Sequence, residues 1–137
     1  MTNTDFGGDI IRQRQKLTPD NAQLIILNGK KPQHIFALKQ MRIIIGRSQP
    51  PIYCADIDLT DFDENTPSSI SRRHAELKWV DEKLQIIDLN SSNGTFVEGE
   101  KLHPLDVNNP PTPVILHHGS KLKLGNLEMK IQESSML

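Results

Sequence analysis

Cysteine is almost absent from this chain, since Cys54 is the only one among 137 residues. A single cysteine excludes an internal disulfide bond and is typical of proteins in a reducing, intracellular compartment. The N-terminal sequence lacks the basic and apolar regions of a secretory signal, and no apolar run approaches the roughly 18 residues that a membrane-spanning helix needs. We therefore expect a cytoplasmic protein that does not insert into membranes.

The chain also lacks an excess of charge of either sign. Its 16 Lys and Arg residues and 17 Asp and Glu residues give a net charge of −1. Proteins that bind nucleic acid or membrane surfaces through general electrostatics carry a basic excess, so we expect neither partner. An anionic ligand would need a local cluster of cations. The length is sufficient for one domain with one core. We expect the protein to be a monomer.

Sequence patterns of catalytic, nucleotide and metal sites are missing as well. There is no P-loop and no Gly-x-Gly-x-x-Gly, and the histidines lack zinc-site spacing. Ser71 and His74 could suggest a nucleophile and its base, but no nucleophile elbow surrounds them. We expect no enzymatic activity, cofactor or metal. A group of five acidic residues could suggest a calcium site, but the segment lacks the glycine and the spaced glutamate of an EF-hand, so we interpret it as a solvated loop. The five residues are Asp56, Asp58, Asp61, Asp63 and Glu64.

Short apolar runs dominate the sequence from residue 22 onwards, and several alternate with period two. They are separated by turn residues, and no useful helix-period segment occurs among them. Many short strands at spacings near ten predict an antiparallel β-sandwich or barrel. The predicted strands are 23–27, 34–38, 42–45, 57–59, 75–80, 84–88, 95–97, 114–116, 121–124 and 127–131. Tight turns are predicted at Asn28-Gly29, Asp81-Glu82, Asn93-Gly94, Glu98-Gly99 and Gly125-Asn126.

The two ends of the chain lack the strand pattern. Residues 1–21 are polar, with only a short stretch that could form one or two helical turns, and we interpret them as a flexible N-terminal tail. The folded domain is predicted over 22–133, followed by a short C-terminal tail at 134–137. Two long loops are expected within the domain, at 47–56 and at the proline-rich 104–113.

Three polar clusters lie in order beside predicted strands. Together they supply guanidinium groups, a hydroxyl and an amide that could hold a phosphate group and its peptide. Taken singly, each has a plainer interpretation. Arg47 could be a solvated arginine, and Asn93-Gly94 a type I′ hairpin turn whose Asn93 amide could also pair with a bound peptide. His74 could be a partly buried residue that hydrogen-bonds loop backbone. The clusters are 46–48, 71–75 and 90–96, with sequences GRS, SRRHA and NSSNGTF.

Three motifs occur in a fixed order: Gly46-Arg47, Ser71-x-x-His74 and Asn93-Gly94, with Asp88-Leu89 before the last. Together they resemble the forkhead-associated (FHA) domain over about residues 22–133. The segment from Ile70 to Ala75 is especially similar to small, single-domain bacterial members. The resemblance implies an all-β fold, an antiparallel sandwich of about eleven strands of FHA/SMAD type. It also implies a module that binds phosphothreonine peptides through loops at one end, with a partner phosphorylated by an upstream Ser/Thr kinase.

The resemblance assigns a role to each motif residue by position. Arg47, Ser71 and Arg72 are expected to bind the phosphate, whereas Ser92 and Asn93 are expected to contact the peptide. Arg73 usually points elsewhere in the family. Family members often have a second Asn-Gly where this chain has Glu98-Gly99, an acid that we expect to shape the turn. The residues expected to support the loops are Gly46, His74 and Gly94.

Three functions remain open from the sequence. The first is a phosphothreonine-dependent adaptor or regulator in Ser/Thr kinase signalling. The second is a self-regulated switch in which a phosphorylated Thr2, Thr4 or Thr18 occupies the domain's own site. The third is an assembly or scaffold protein that binds independently of phosphate through its sheet faces.

Overall fold

The computed structural model describes residues 16–134, which form eleven β-strands and no helix. In chain order the strands are β1 (Ala22–Ile26), β2 (Ile35–Ala37), β3 (Arg42–Gly46), β4 (Ile57–Asp58), β5 (Ala75–Val80), β6 (Lys83–Asp88), β7 (Thr95–Val97), β8 (Glu100–Lys101), β9 (Val114–Leu116), β10 (Lys121–Leu124) and β11 (Leu127–Glu133). The described part of the chain accordingly has no helix that could cross a membrane.

Two sheets pack face to face, so the sandwich rather than the barrel is confirmed. One sheet has six strands in the order β2-β1-β11-β10-β7-β8, and the other has five in the order β4-β3-β5-β6-β9. The strand pairs are antiparallel apart from β3 and β4, which run parallel with Ile45 opposite Ile57. This pair places the start of the loop after β3 beside the residues that follow β4.

The core lies between the sheets and is filled by the alternate, inward-facing residues of each strand. Leu24, Leu77, Ile86 and Met129 are examples, each fully buried. Burial of one such side chain contributes about 1.5–3 kcal/mol, so the period-two pattern is also the main source of stability. Trp79 packs in the same core while its indole nitrogen donates a hydrogen bond to the Leu38 carbonyl at 3.0 Å.

All ten predicted strands are present with bounds that differ by at most two residues, and only β8 was not predicted. Both residues of β8, Glu100 and Lys101, are exposed, so they leave no apolar alternation in the sequence. The Glu98-Gly99 turn before β8 is confirmed, with φ of 50° and 83°, as is Asp81-Glu82 with 50° and 67°. Positive φ at both central residues is what a type I′ turn requires.

The type I′ prediction for Asn93-Gly94 is wrong. Gly94 has a φ of 91°, but Asn93 is not in the positive region. The strands on either side, β6 and β7, belong to different sheets, so segment 89–94 crosses from one sheet to the other instead of closing a hairpin. A crossing segment of this kind leaves room for side chains that a two-residue turn would not accommodate.

The strand directions give the sandwich two distinct ends. We call one the loop end, where segments 27–34, 47–56, 59–74 and 89–94 and the turn 125–126 meet. We call the other the hairpin end, which carries the turns 81–82 and 98–99, segment 117–120 and residues 16–21. The six residues of β5 separate the two ends by about 20 Å, at 3.2–3.4 Å per residue.

The proposed domain boundaries stay predictions, since residues 1–15 and 135–137 lie outside the described residues, and with them Thr2 and Thr4. Residues 16–21 are described and contact the domain. Leu17 packs against the core, and the Lys16 ammonium lies 2.6 Å from the Glu82 carboxylate at the hairpin end. Thr18 lies in a turn, where its backbone N–H donates to the Asn21 side chain at 2.8 Å.

Candidate functional site

The three sequence clusters converge at the loop end around one open cavity of about 440 Å³. Five of the residues predicted to contact a ligand line it, and three further residues join them. The structure thus brings together the connections after β3, before β5 and before β7, which are far apart in the sequence. The lining residues are Arg47, Ser68, Ile70, Ser71, Arg72, Arg73, Ser92 and Asn93.

Arg47 leaves the sheet at the end of β3 and is fixed by three hydrogen bonds. Its backbone N–H lies 3.2 Å from the carbonyls of both Ser71 and Arg72. Its side-chain Nε donates to the Ile70 carbonyl at 3.1 Å. With Nε occupied, the two terminal nitrogens of the guanidinium group remain to donate toward an anion.

Gly46 allows the Ser71–Arg72 backbone to approach β3 so closely. A Cβ atom at position 46 would lie 1.8 Å from the Arg72 carbonyl oxygen, which is far inside van der Waals contact. The glycine is therefore required by close backbone packing and supports the segment that presents Ser71 and Arg72.

The hydrogen bond from Ser92 determines which role the Ser71 hydroxyl can play toward a ligand. Its oxygen accepts a hydrogen bond from the backbone N–H of Ser92 at 2.9 Å. The hydroxyl proton is then left to donate, and the residue lines the cavity. This contact also ties segment 71–74 to segment 89–94, so the hydroxyl donor and the residues around Asn93 are held in a common frame.

His74 is fully buried and joins the same two segments. The Ser71 N–H donates to Nδ1 at 3.0 Å, so Nδ1 must be the unprotonated nitrogen. Nε2 therefore carries the proton and donates to the Gly94 carbonyl at 2.9 Å. Burial lowers the pKa of His74 below its usual value, against smaller opposing effects of the Gly94 hydrogen bond and the Asp88 charge. The neutral ring thus joins the two segments through these hydrogen bonds and does not line the cavity.

Segment 89–94 is held by Asp88, a buried carboxylate whose role the sequence analysis missed. It accepts hydrogen bonds from the Ser91 N–H at 3.0 Å, the Ser91 hydroxyl at 2.6 Å and the Thr95 hydroxyl at 2.6 Å. The segment in turn presents Asn93, whose side-chain nitrogen donates to the Ser69 carbonyl at 3.0 Å. The Asn93 side-chain oxygen is therefore the atom left to accept a hydrogen bond from a peptide N–H.

Asp63 is a second buried carboxylate, and it holds the segment before β5 by hydrogen bonds as Asp88 holds segment 89–94. It is 5% exposed and accepts hydrogen bonds from the Asn65 N–H, the Ser68 hydroxyl and both the N–H and hydroxyl of Ser69. Burial alone would raise the pKa of Asp63, but these hydrogen bonds outweigh it and lower the pKa. The expectation of a solvated acidic loop is therefore wrong for Asp63.

Two more residues of the acidic group also bind backbone. The Asp56 carboxylate accepts from the Ile44 N–H at 2.8 Å, and that of Asp58 accepts from the Ser48 N–H at 3.0 Å. Short-range patterns such as Asp63-x-Asn65, in which an Asp accepts from the N–H two residues on, could have indicated this role. Within residues 16–134, no three His, Cys, Asp or Glu side chains are grouped as a metal ion would require.

Arg72 and Arg73 both line the cavity, whereas the resemblance implied that Arg73 points elsewhere. Arg72 donates from one terminal nitrogen to the Gln49 side-chain oxygen at 2.9 Å. Arg73 has no hydrogen-bond or ion-pair partner among residues 16–134. Together with Arg47 the cavity carries three guanidinium groups, and none of its lining residues is acidic. Its chemistry is that of an anion site.

Glu98, the residue that departs from the family pattern, lies away from this cavity. Its carboxylate accepts a hydrogen bond from the Lys121 N–H at 2.8 Å, at the hairpin end. It shapes the turn, as expected, and its charge does not face the cavity.

Comparison with known proteins agrees with this geometry. The FHA domain model matches residues 43–125, which is more than half of the chain. The glycogen accumulation regulator GarA of Mycobacterium tuberculosis is 27% identical over 113 residues, covering 82% of this chain and 58% of GarA. An oxoglutarate dehydrogenase inhibitor of Corynebacterium glutamicum is 25% identical over 115 residues, covering 84% of this chain and 67% of the inhibitor. The chain thus spans about three fifths of GarA.

Solved structures show the same similarity. The FHA domain of CT664 from Chlamydia trachomatis is 28% identical with a TM-score of 0.62, and the match covers 84% of this chain and 99% of that one. The FhaA FHA domain, solved with the intracellular domain of Rv3910, is 29% identical with a TM-score of 0.56 and covers 81% and 99%. With its two-sheet fold and its three ordered motifs at one cavity, this chain belongs to the FHA domain family.

Proposed function

We propose that this chain binds phosphothreonine-containing segments of partner proteins in the loop-end cavity, and that it acts as an adaptor or regulator in Ser/Thr kinase signalling. One observation carries the proposal: donors from three separate connections face a single cavity whose lining residues include no acid. A phosphate on threonine is the matching ligand, since it has a charge of about −1.5 to −2 and three acceptor oxygens.

In this proposal Arg47, Ser71 and Arg72 bind the phosphate. Arg47 offers its terminal nitrogens, Ser71 its hydroxyl proton and Arg72 the donors that Gln49 leaves unused. Hydrogen bonds to a charged group contribute about 1.5–3 kcal/mol each. Three of them supply several kcal/mol before the cost of ordering the ligand. With the peptide contacts added, we expect a dissociation constant of roughly micromolar order, about −8 kcal/mol.

Ser92 and Asn93 contact the peptide beside the phosphate. The Asn93 side-chain oxygen accepts from a peptide N–H, and Ser92 lies near the threonine methyl. Burying one methyl group contributes only about 0.8 kcal/mol, a fourfold preference over phosphoserine. A stronger preference for threonine would require its restricted χ1 angle to hold the phosphate in the bound orientation.

The comparisons support a regulatory role of this class. One FHA structure, 29% identical with a TM-score of 0.58, comes from an analysis of phosphothreonine-dependent FHA interactions. The matched relatives are described as a regulator of glycogen accumulation and an inhibitor of oxoglutarate dehydrogenase. Because the chain spans only part of GarA, the proposal extends to the class of ligand and not to those targets. The setting we propose is the cytoplasm, where the exposed Cys54 stays reduced.

Calorimetric titration with a phosphothreonine peptide library tests the proposal, with unphosphorylated and phosphoserine versions as matched ligands. Arg47→Ala and Ser71→Ala are expected to abolish binding while circular dichroism shows a folded sandwich. Lys78→Ala, an exposed change on β5 outside the cavity, is the control that retains binding. Unchanged affinity in either cavity variant would overturn the site assignment. Failure of every phosphopeptide would favour the phosphate-independent scaffold instead.

The self-regulated switch remains the second candidate, with one change in its details. Thr18 lies at the hairpin end beside the Lys16–Glu82 ion pair, about the length of β5 from the cavity. Its position argues against Thr18 as the threonine that occupies the site, and leaves Thr2 and Thr4. Mass spectrometry of the native protein, followed by a binding test of the phosphorylated form, separates this switch from the adaptor.

A further inference from the structure

Arg73 is the cation of the cavity that the proposed phosphate site does not use. Arg47 is held by the Ile70 carbonyl and Arg72 by Gln49, whereas Arg73 has no hydrogen-bond or ion-pair partner in the described part of the chain. It is exposed and lines the same cavity. A guanidinium group that faces a ligand cavity without a partner is available to an acid of the ligand.

The charges around the cavity leave room for a second acid. Three arginines line it and no lining residue is acidic, so the lining carries three positive charges. A threonine phosphate neutralises about two of them. The Asp58 carboxylate, which accepts hydrogen bonds from the Ser48 N–H at 3.0 Å and the Thr60 N–H at 3.1 Å, keeps its charge but is not part of the lining. About one positive charge therefore remains on the lining itself.

The shape of the site also separates Arg73 from the phosphate position. Arg72 and Arg73 lie in a bend before β5, and their guanidinium groups have different surroundings. Arg72 contacts Gln49, whereas the charge of Arg73 acts on the phenol of Tyr53, further along the same loop. The cavity has the volume of about fifteen waters at roughly 30 Å³ each, more than a single phosphate group fills.

We propose that Arg73 forms a second anion subsite, which takes an acidic group of the same ligand within two residues of the phosphothreonine. The acid is a carboxylate or a second phosphate, and either matches a guanidinium donor. The inference rests on the proposed function, since the phosphothreonine anchors the ligand. It adds a specificity: among phosphothreonine segments, acidic ones bind best.

Calorimetry with matched peptides tests the subsite. The parent peptide has one phosphothreonine flanked by alanines, and four relatives carry a single Glu at positions −2, −1, +1 or +2. At the best of these positions, two more peptides carry a second phosphothreonine or a Lys. The wild-type chain is expected to bind the best Glu peptide about three- to fivefold tighter than the parent, the effect of one exposed ion pair. The doubly phosphorylated arm shows whether carboxylate or phosphate is preferred.

Two substitutions assign the effect to Arg73. Arg73→Gln is expected to lose the gain from the acid, so that it binds the Glu peptide and the parent peptide with equal affinity. Arg73→Glu is expected to reverse the preference toward the Lys peptide. Lys78→Gln removes an exposed charge of the same sign outside the cavity and is expected to keep the wild-type preference. Thermal unfolding of each variant checks that the fold is intact.

The outcomes separate this inference from the function on which it rests. If the wild type binds the parent but prefers no acid, the subsite is wrong and the phosphothreonine site stands. If Arg73→Gln weakens the parent and acidic peptides equally, Arg73 is a further phosphate contact and the inference is again wrong. If no phosphothreonine peptide binds the wild type, the proposed function fails and the subsite fails with it.

Discussion

The two ends of the sandwich are built in different ways. The hairpin end closes β5–β6 and β7–β8 with two-residue turns whose conformation follows from Asp81-Glu82 and Glu98-Gly99 themselves. The loop end has long segments that take their shape from buried polar groups within or directly beside them. These groups are Asp63, His74 and Asp88.

This difference shows how an exposed binding site can be held rigid. The residues proposed to touch the ligand are exposed or half-buried, whereas Asp63, His74 and Asp88 are buried and hydrogen-bonded to the loops. Buried polar networks of this kind specify one arrangement, because an unmade bond in a low-dielectric interior is costly. We expect changes at the loop end to affect stability and binding together, and changes at the hairpin end to affect stability alone.

The largest effect is expected from Gly46→Ala, compared with Gly99→Ala at the hairpin end. At position 46 the added Cβ would meet the Arg72 carbonyl at 1.8 Å, whereas at position 99 nothing lies within 4 Å. We expect a loss of about 3 kcal/mol of unfolding free energy, with binding lost, for Gly46→Ala. Gly99→Ala is expected to cost only about 1 kcal/mol, from its positive φ, and to retain binding. Urea unfolding measures both, and equal losses would contradict the comparison.

The next largest effect is expected from Asp88→Ala, with Glu98→Ala as its partner. Asp88 is buried and accepts three hydrogen bonds, so its removal should cost about 2 kcal/mol and release segment 89–94. The exposed Glu98 accepts one bond whose donor water can satisfy, so its loss should stay near 0.5 kcal/mol. Chemical denaturation and peptide titration of both variants check this. Binding that survives Asp88→Ala would show that the loop holds its shape without the anchor.

A smaller effect concerns pH and His74. Because burial lowers the pKa of His74 in the folded chain, its stabilising contribution is complete above the unfolded pKa of about 6.5. As pH falls below 6.5, the unfolded chain takes up a proton that the folded chain resists, and stability is lost by at most about 1.4 kcal/mol per pH unit. Unfolding midpoints at pH 7.5, 6.5 and 5.5 should show a decline that is shallower in His74→Gln. Parallel declines in the two proteins would show that His74 does not cause the pH dependence of stability.

The smallest effect is expected from salt. Raising NaCl from about 0.1 M to 1 M shortens the screening length from about 10 Å to 3 Å. Affinity for a phosphothreonine peptide should fall about threefold, because the cavity is open and two of its three cations, Arg72 and Arg73, are exposed. The unfolding midpoint should not fall together with the affinity, because it depends mainly on the apolar core. An affinity independent of salt would argue against a charged ligand.

The sequence predicted the fold well because the relevant signals are local. Alternation in β5, where Ala75, Leu77 and Trp79 face inward, is visible without any partner strand. Turn residues marked the hairpin end correctly for the same reason. The exposed strand β8 had no such signal and was missed. The residues proposed to bind phosphate were identified through a family resemblance, and their ligand contacts remain predictions.

The loop end was predicted less completely because its contacts join distant parts of the chain. The Ser71 hydroxyl is oriented by Ser92, 21 residues away, and Asn93 by Ser69, 24 residues away. Neither pairing can be inferred from the spacing of residues within one segment. The position of Arg73 on the cavity wall likewise shows only in the folded chain, whereas the Asp63 contacts lie within six residues and left a short-range pattern.

By itself the sequence determined the all-β strand pattern, the single core and the order of three motifs, because period-two alternation and turn chemistry act over a few residues. The tertiary structure decided which of two adjacent arginines is held by a side chain and which has no partner within residues 16–134, and which atoms of Ser71 and Asn93 remain for a ligand. The physical reason is that each such atom is assigned by a hydrogen bond to another loop, and those bonds exist only once the sheets have packed.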